Sequence, residues 1–237
     1  MNTFQYLILF LSIVLSGCSF FLFRKTNELA LKLSLAFTGA FLFAISVVHL
    51  IPAVYKSSDS HIGIYVLIGF FIQLFIEFFS EGIEHGHIHI HHVHEKTFPF
   101  AMMLGLSVHS FLEGMPLSGN FGMSNNTLLT GIILHHIPVA FALVSMLVAS
   151  GLKKNAALFY LILFAAMAPL GALSSSMMNE NFLLNASVYF DRIMAIVIGI
   201  FLHISTTILF ESDSSHRFNL YKLFVILCGA GVALMIN

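Results

Sequence analysis

The sequence predicts an all-α integral membrane protein, folded as a bundle of eight transmembrane helices. Of its 237 residues, 58% are hydrophobic and only 9% are charged, whereas a soluble domain typically has about 25% charged residues. The apolar residues also lie in segments of roughly 20, which is the length that a helix needs to cross a bilayer. Segments of this length satisfy their backbone hydrogen bonds in lipid only as helices, since barrel strands are shorter and alternate strictly.

Charged residues, Gly, Pro and Asn divide the chain into these segments. In chain order, the predicted spans cover residues 4–23, 33–55, 62–80, 97–119, 127–150, 155–177, 187–210 and 218–236. The polar residues that separate them are, in order, Arg24, Lys56, Glu81, Asn120, Lys153, Glu180 and Glu211. Because little chain remains outside the spans, residues 1–237 are predicted to form a single transmembrane domain with one longer connection at about 81–96.

The distribution of basic residues predicts the orientation, because Lys and Arg are enriched in cytoplasmic loops. The odd-numbered loops and their flanks contain eight of the ten basic residues, and the even-numbered loops contain Lys56 and Arg192. The eight are Arg24, Lys25, Lys32, Lys96, Lys153, Lys154, Arg217 and Lys222. We therefore expect both termini to lie outside, or in the periplasm, and the connection at 81–96 to lie in the cytoplasm.

The composition also excludes several classes of function. A net charge of −1 with ten scattered basic residues provides no basic surface for nucleic acid. The two cysteines, Cys18 and Cys228, both lie in apolar segments, so neither a disulfide framework nor a thiolate metal cluster is expected. Histidine is the unusual residue, because its 13 copies outnumber both the basic and the acidic residues.

The connection at 81–96 is a histidine-rich tract flanked by Glu84 and Glu95. Its six histidines are His85, His87, His89, His91, His92 and His94. Imidazole binds Zn, Cu, Ni and Fe, and histidine-rich tracts are typical of metal binding. The tract is predicted to capture metal in the cytoplasm, and the alternative is a solvated loop without a ligand.

Ionisable side chains inside a span are costly and therefore indicate a functional site. In the fourth span, His109 and Glu113 are four residues apart and share one face of a helix, so an imidazole and a carboxylate can point at one ion. Pro116 follows, and it cannot donate an amide hydrogen bond to the carbonyl of Leu112.

The fifth span repeats this pattern with His135, His136 and Pro138, whose missing N–H frees the carbonyl of Leu134. Adjacent residues point about 100° apart on a helix, so the two histidines are predicted to serve different positions. Helices disturbed near the middle of the membrane around His and Glu side chains are typical of transport sites.

Four further ionisable residues are predicted to form a secondary pathway: His49, Glu77, Glu81 and His203. For His49 and His203, the alternative is a hydrogen-bonded core histidine. Glu77 and Glu81 lie near the cytoplasmic end of the third span, where we expect them to pass metal to the histidine-rich tract. Deletion of residues 85–94 should then alter regulation or affinity without abolishing transport.

Four segments of the sequence resemble the ZIP (Zrt-/Irt-like protein) family of divalent-metal transporters. HSFLEG at 109–114 is similar to the fourth-helix signature of the family, and HHIP at 135–138 is similar to the fifth. VHLIP at 48–52 resembles the second-helix pattern, and APLGA at 168–172 the sixth. The eight spans, the outward termini and the histidine-rich third loop also match the family.

The resemblance implies import of zinc or a related divalent cation into the cytoplasm, here across a bacterial inner membrane. It implies a main transport site at His109, Glu113 and His135, and it matches Ser110 and His136 to positions that hold a second metal in some members. The metal is then a substrate and not a cofactor, and the chain is not an enzyme. An exposed apolar face would contact lipid or a second copy in a homodimer.

Three residues depart from the family pattern. Val139 stands where many members have a second Glu, Ala168 where members with two metals have a carboxylate, and Ala53 where an acid is common. These departures favour a single metal held by two imidazoles and one carboxylate, completed by water, Ser110 or His136.

Two other functions remain as alternatives. A membrane-embedded zinc hydrolase would carry HExxH on one helix, whereas the only His-Glu step here, His94-Glu95, is followed by Lys96-Thr97-Phe98. A metal sensor or storage protein would use the histidine-rich tract but would leave the intramembrane His109, Glu113 and His135 unexplained.

Overall fold

The computed structural model describes residues 1–23, 28–56, 59–80, 99–118, 125–181, 186–210 and 220–236. Within these ranges the regular structure is helical. The prediction of an all-α protein is therefore confirmed.

Eight long helices occupy the positions of the predicted spans. They are α1 (Thr3–Phe23), α2 (Glu28–Ile45), α3 (Ile62–Ser80), α4 (Phe100–Gly114), α5 (Asn125–Ala149), α6 (Lys154–Asn181), α7 (Ala186–Phe210) and α8 (Leu220–Met235). Among the described residues, seven helical segments are long and apolar enough to cross a membrane: α1, α2 with its continuation to Val54, α3, α4 with its continuation to Ser118, α5, α6 and α7. The helix α8 is apolar but has 16 residues. With these continuations included, the largest differences from the predicted spans are that α2 begins five residues earlier, at Glu28, and that α6 ends four residues later, at Asn181.

Proline changes the helical geometry at the ends of α2 and α4. Past Ile45, α2 continues through a π-helical turn, Ser46–Leu50, into a last α-helical turn, Ile51–Val54. Pro52 lies in this last turn, two residues after the π-helical turn ends, and cannot donate to the carbonyl of Val48. The backbone N–H of Ile51 donates to Ser46, which is the wider spacing of a π-helix.

At the end of α4, the helical turn becomes narrower, whereas at the end of α2 it becomes wider. The carbonyl of Leu112, which Pro116 cannot serve, accepts a hydrogen bond from the N–H of Met115. The next residues, Met115–Ser118, form a 3₁₀ turn. Glu113 therefore lies at the last turn of regular α-helix, as the position of Pro116 predicts.

Glycine allows the closest helix contacts. The helix α4 packs on α6 where the backbone at Gly114 meets Ala168, and where Gly171 meets Phe111. The helix α3 packs on α7 in the same way through Gly69 and Gly199. A side chain at any of these glycines would overlap a backbone carbonyl of the partner helix, and small residues at such contacts are typical of membrane helices.

Large apolar side chains remain exposed on the outer faces of the bundle. Along α3 they include Leu67, Phe71, Phe75 and Phe78, of which Phe78 is 80% exposed. A water-soluble monomer rarely exposes so large an apolar surface. Together with the membrane-length helices, this surface identifies an integral membrane protein.

One ion pair fixes the connection between α2 and α3 to α7. Oδ2 of Asp59 accepts a hydrogen bond of 2.7 Å from Nε of Arg192, whose guanidinium lies 5.2 Å from the centre of the Tyr65 ring. The backbone N–H of His61 and the Arg192 side chain hold the pKa of Asp59 below its usual value. Asp59 is therefore ionised at neutral pH and stays paired.

Candidate metal centre

The fourth helix presents His109 and Glu113 to the interior of the bundle. They lie one helical turn apart, and Nε2 of His109 is 3.3 Å from Oε1 of Glu113. Both side chains are buried, with 1% and 0% of their surface exposed. Since Gly114 lets α6 approach α4 directly beside Glu113, the close packing of these two helices holds the carboxylate in the interior.

The fifth helix supplies His135 from the opposite side. It is buried, and the centre of its ring lies 5.8 Å from that of His109, in an edge arrangement. The helix α5 runs unbroken past Pro138, so this proline does not divide it. The fifth-helix histidine thus reaches the same interior region as the fourth-helix pair.

His109, Glu113 and His135 form a group that could hold one metal ion. Each offers one ligand atom, and these atoms all lie within 4.8 Å of one another. In a tetrahedral zinc site with bonds of about 2.0–2.2 Å, ligand atoms are roughly 3.3–3.6 Å apart. The His109–Glu113 separation of 3.3 Å already matches this spacing, so a small inward movement of His135 would complete the three-ligand set.

The charge of this group also suits a divalent cation. Burying a carboxylate away from water is costly unless positive charge or hydrogen-bond donors compensate it. Glu113 is fully buried among imidazoles, which are electron-pair donors when neutral. A divalent ion bound by two neutral imidazoles and one carboxylate retains a net charge of +1, which limits the strength of binding and favours release.

His136 lies between Ser110 and one member of this group, Glu113. Its Nδ1 donates to the carbonyl of Ile132 at 2.9 Å, so its Nε2, 3.0 Å from Oγ of Ser110, accepts from that hydroxyl. Its Nδ1 also lies 3.6 Å from Oε2 of Glu113. The ring stacks on Phe164, with the centres 5.7 Å apart. The adjacent histidines therefore face different partners, in agreement with their helical spacing.

The structure adds one polar residue that the sequence analysis missed. Gln73, on α3, is fully buried, and its Oε1 lies 3.1 Å from Nδ1 of His109. An amide does not ionise, so a criterion based on ionisable groups inside spans does not select Gln73. The signal was nevertheless present, because a lone amide in the middle of an apolar span needs a hydrogen-bond partner as much as a charge does.

The predicted secondary residues lie elsewhere in the bundle. Glu77 and His203 meet between α3 and α7, with Oε2 of Glu77 3.4 Å from Nδ1 of His203. His49 is partly buried in the π-helical turn of α2, and its Nε2 has no hydrogen-bond partner within the described ranges. None of these three belongs to the group formed by His109, Glu113 and His135. Glu81 and the histidines at 85–94 lie outside the described residues.

Comparison with known proteins identifies relatives of this chain. A family model described as ZIP zinc transporter matches residues 94–237, which is more than half of the chain. This match includes both helices that carry His109, Glu113 and His135.

Two curated relatives illustrate the similarity. Zinc transporter ZIP9-B of Xenopus laevis is 28% identical over 120 residues, which cover 49% of this chain and 40% of the relative. Zinc transporter ZIP1 of Danio rerio is 28% identical over 158 residues, which cover 64% of this chain and 51% of the relative. The chain therefore spans about half the length, or less, of these relatives.

Proposed function

Because the chain belongs to the ZIP zinc transporter family, we propose that it carries Zn²⁺ across the membrane into the cytoplasm. The observation that supports this most directly is the buried group of His109, Glu113 and His135, whose ligand atoms lie within 4.8 Å of one another. Their nitrogen and oxygen donors suit zinc, and related divalent cations would compete for the same site.

The proposed route has three successive metal-binding positions. His49, near the end of α2, receives the ion from outside, and the central group of His109, Glu113 and His135 binds it. Glu77 and His203, which are 3.4 Å apart, then accept it on the cytoplasmic side. Glu81 and the histidine-rich tract at 85–94 lie beyond this pair in sequence and capture the released metal.

The site is proposed to bind one metal. A second ion at Ser110 and His136 would have to displace their 3.0 Å hydrogen bond. The second-metal carboxylate positions are also taken by Val139 and Ala168, both of which are buried and apolar.

The direction, location and assembly of the protein complete the proposal. The distribution of basic residues supports cytoplasmic odd-numbered loops, and therefore termini that lie outside. We place the protein in a bacterial inner membrane, where the exposed apolar faces of α3 and α8 contact lipid or a second copy in a homodimer.

The proposal is tested by uptake of radioactive zinc into proteoliposomes. Wild-type protein should accumulate zinc, and His109→Ala and Glu113→Ala should lose uptake, since each removes a ligand. His61→Ala is the matched control, because it removes an exposed histidine from a connecting turn and should transport normally. Each variant is checked for folding by its thermal transition in detergent.

The same experiment separates the two alternative functions. Zinc that binds at the central group but never crosses the bilayer would exclude transport and favour a sensor or storage protein. Hydrolysis of a peptide substrate that depended on Glu113 would favour the enzyme instead. Equal uptake by the wild type and His109→Ala would leave transport intact but remove the central site from the proposal.

A further inference from the structure

Gln73 occupies an unusual position for an amide. It lies in the middle of α3, within an apolar span, and no part of it is exposed. Burying an amide costs free energy unless its oxygen and nitrogen form hydrogen bonds. Its Oε1 has one partner, the His109 ring, while its Nε2 has none within the described part of the chain. The interaction with His109 is thus the polar contact that compensates for the burial of the Gln73 amide.

The two nitrogens of His109 face different groups. Nδ1 is 3.1 Å from Oε1 of Gln73, and Nε2 is 3.3 Å from Oε1 of Glu113. Since Nε2 faces the carboxylate of Glu113, it is the nitrogen that would bind a metal. A neutral imidazole has one N–H and one lone pair, so metal binding at Nε2 requires the proton to be on Nδ1.

A carbonyl oxygen can only accept a hydrogen bond. The oxygen of Gln73 therefore stabilises the tautomer with the proton on Nδ1 and also fixes the rotation of the ring. Residues that accept the second N–H of a metal-binding histidine in this way orient the ring and raise its basicity, and their loss typically costs about 10–100-fold in metal affinity or activity.

We propose that Gln73 is a positioning residue for zinc, because it holds the His109 ring with its Nε2 lone pair directed at the central site. This inference rests on the proposed metal site at His109, Glu113 and His135. It also means that the site is completed by a third helix, since α3 supports a ligand that belongs to α4. Gln73 itself does not touch the metal.

Two substitutions of similar length test this role. Gln73→Met removes the acceptor, and Gln73→Glu keeps an acceptor oxygen at the same reach. In proteoliposomes of the full chain, Gln73→Met should raise the KM for zinc uptake by about 10–100-fold. Gln73→Glu should restore the KM to within about threefold of the wild type, since carboxylates are common partners of metal-binding histidines. The effect should fall mainly on KM, as expected for weaker metal binding.

Several outcomes would overturn the inference. A wild-type KM in Gln73→Met would show that the hydrogen bond is not needed. An equal loss in Gln73→Met and Gln73→Glu would assign Gln73 to helix packing. If Gln73→Met does not fold, Gln73→Asn replaces it, because its shorter side chain cannot reach His109 at the same distance and should raise the KM similarly.

His109→Ala, measured in parallel, separates this inference from the proposed function. If the wild type transports zinc and His109→Ala does not, the central site stands whatever Gln73 does. If His109→Ala transports normally, the site itself fails, and the role of Gln73 fails with it.

Discussion

At the residue scale, the adjacent histidines of α5 have different surroundings. His135 faces His109 and Glu113 across the central group. His136 is held by Ile132 and Ser110 through both ring nitrogens. Its lone pair on Nε2 is used by the Ser110 hydroxyl, so a metal would have to compete with an existing hydrogen bond for this nitrogen.

The different roles of Ser110 and His109 lead to a measurable prediction. Ser110→Ala removes one neutral hydrogen bond, which is worth about 0.5–1.5 kcal/mol, and should weaken zinc binding by less than about tenfold. His109→Ala removes a proposed ligand and should weaken binding by more than the roughly 10–100-fold that loss of a residue supporting a ligand typically costs. Isothermal titration measures both in a chain lacking residues 85–94, so that the histidine-rich tract does not contribute.

The same titration reports the number of ions bound. The chain without the tract should bind one zinc ion, and Ser110→Ala should still bind one. A stoichiometry of two that falls to one in Ser110→Ala would instead identify Ser110 as part of a second metal site.

At the element scale, the contact between α4 and α6 supports the carboxylate of the site. Gly171 on α6 lies against the carbonyl of Phe111, and Gly114 on α4 lies against the carbonyl of Ala168. On α4, Gly114 directly follows Glu113 and Phe111 precedes it by two residues. Changing the separation of these helices would therefore displace Glu113 from the imidazoles.

We expect Gly171→Ala to destabilise the protein and to weaken zinc binding. Its methyl group would overlap the Phe111 carbonyl, and overpacking of this kind costs about 1–3 kcal/mol. Gly231→Ala is the matched control, because its methyl group would have no neighbour within 4 Å. Its effect should stay within about 0.5 kcal/mol. Thermal unfolding in detergent and zinc titration measure both variants, and equal stabilities would contradict the packing argument.

At the scale of the whole molecule, the prediction concerns orientation in the membrane. Single cysteines are introduced as His61→Cys and Lys153→Cys, both at exposed positions in turns between helices, after Cys18 and Cys228 are replaced by serine. A membrane-impermeant maleimide added to intact cells should label the first, which faces outside. It should label the second only after the cells are permeabilised.

The reverse labelling pattern would place the termini in the cytoplasm and would contradict import through the route proposed above. The control is the cysteine-free chain, which should not be labelled on either side. This test does not depend on zinc, so it addresses the direction of the bundle separately from its metal site.

Several features followed from the sequence alone because they depend on local physical chemistry. The cost of unpaired backbone groups in lipid makes long apolar segments helical. Each of the eight long helices in the described ranges therefore lies at one of the predicted apolar segments. The four-residue spacing of His109 and Glu113 places them on one helix face, and Pro116 ends the regular α-helix of α4, because both effects act within one or two turns.

Other features needed the tertiary structure, because they depend on which helices meet. Three interactions join residues that are distant in sequence. They are the approach of His135 to His109 and Glu113, the pairing of Glu77 with His203, and the hydrogen bond between His109 and Gln73. The residue pattern of one helix does not identify the helix that it packs against. Close contacts such as Gly114 on Ala168 are known only from the packed bundle. The sequence thus determined the helices and most of the candidate ligands, and packing decided which of them share a site.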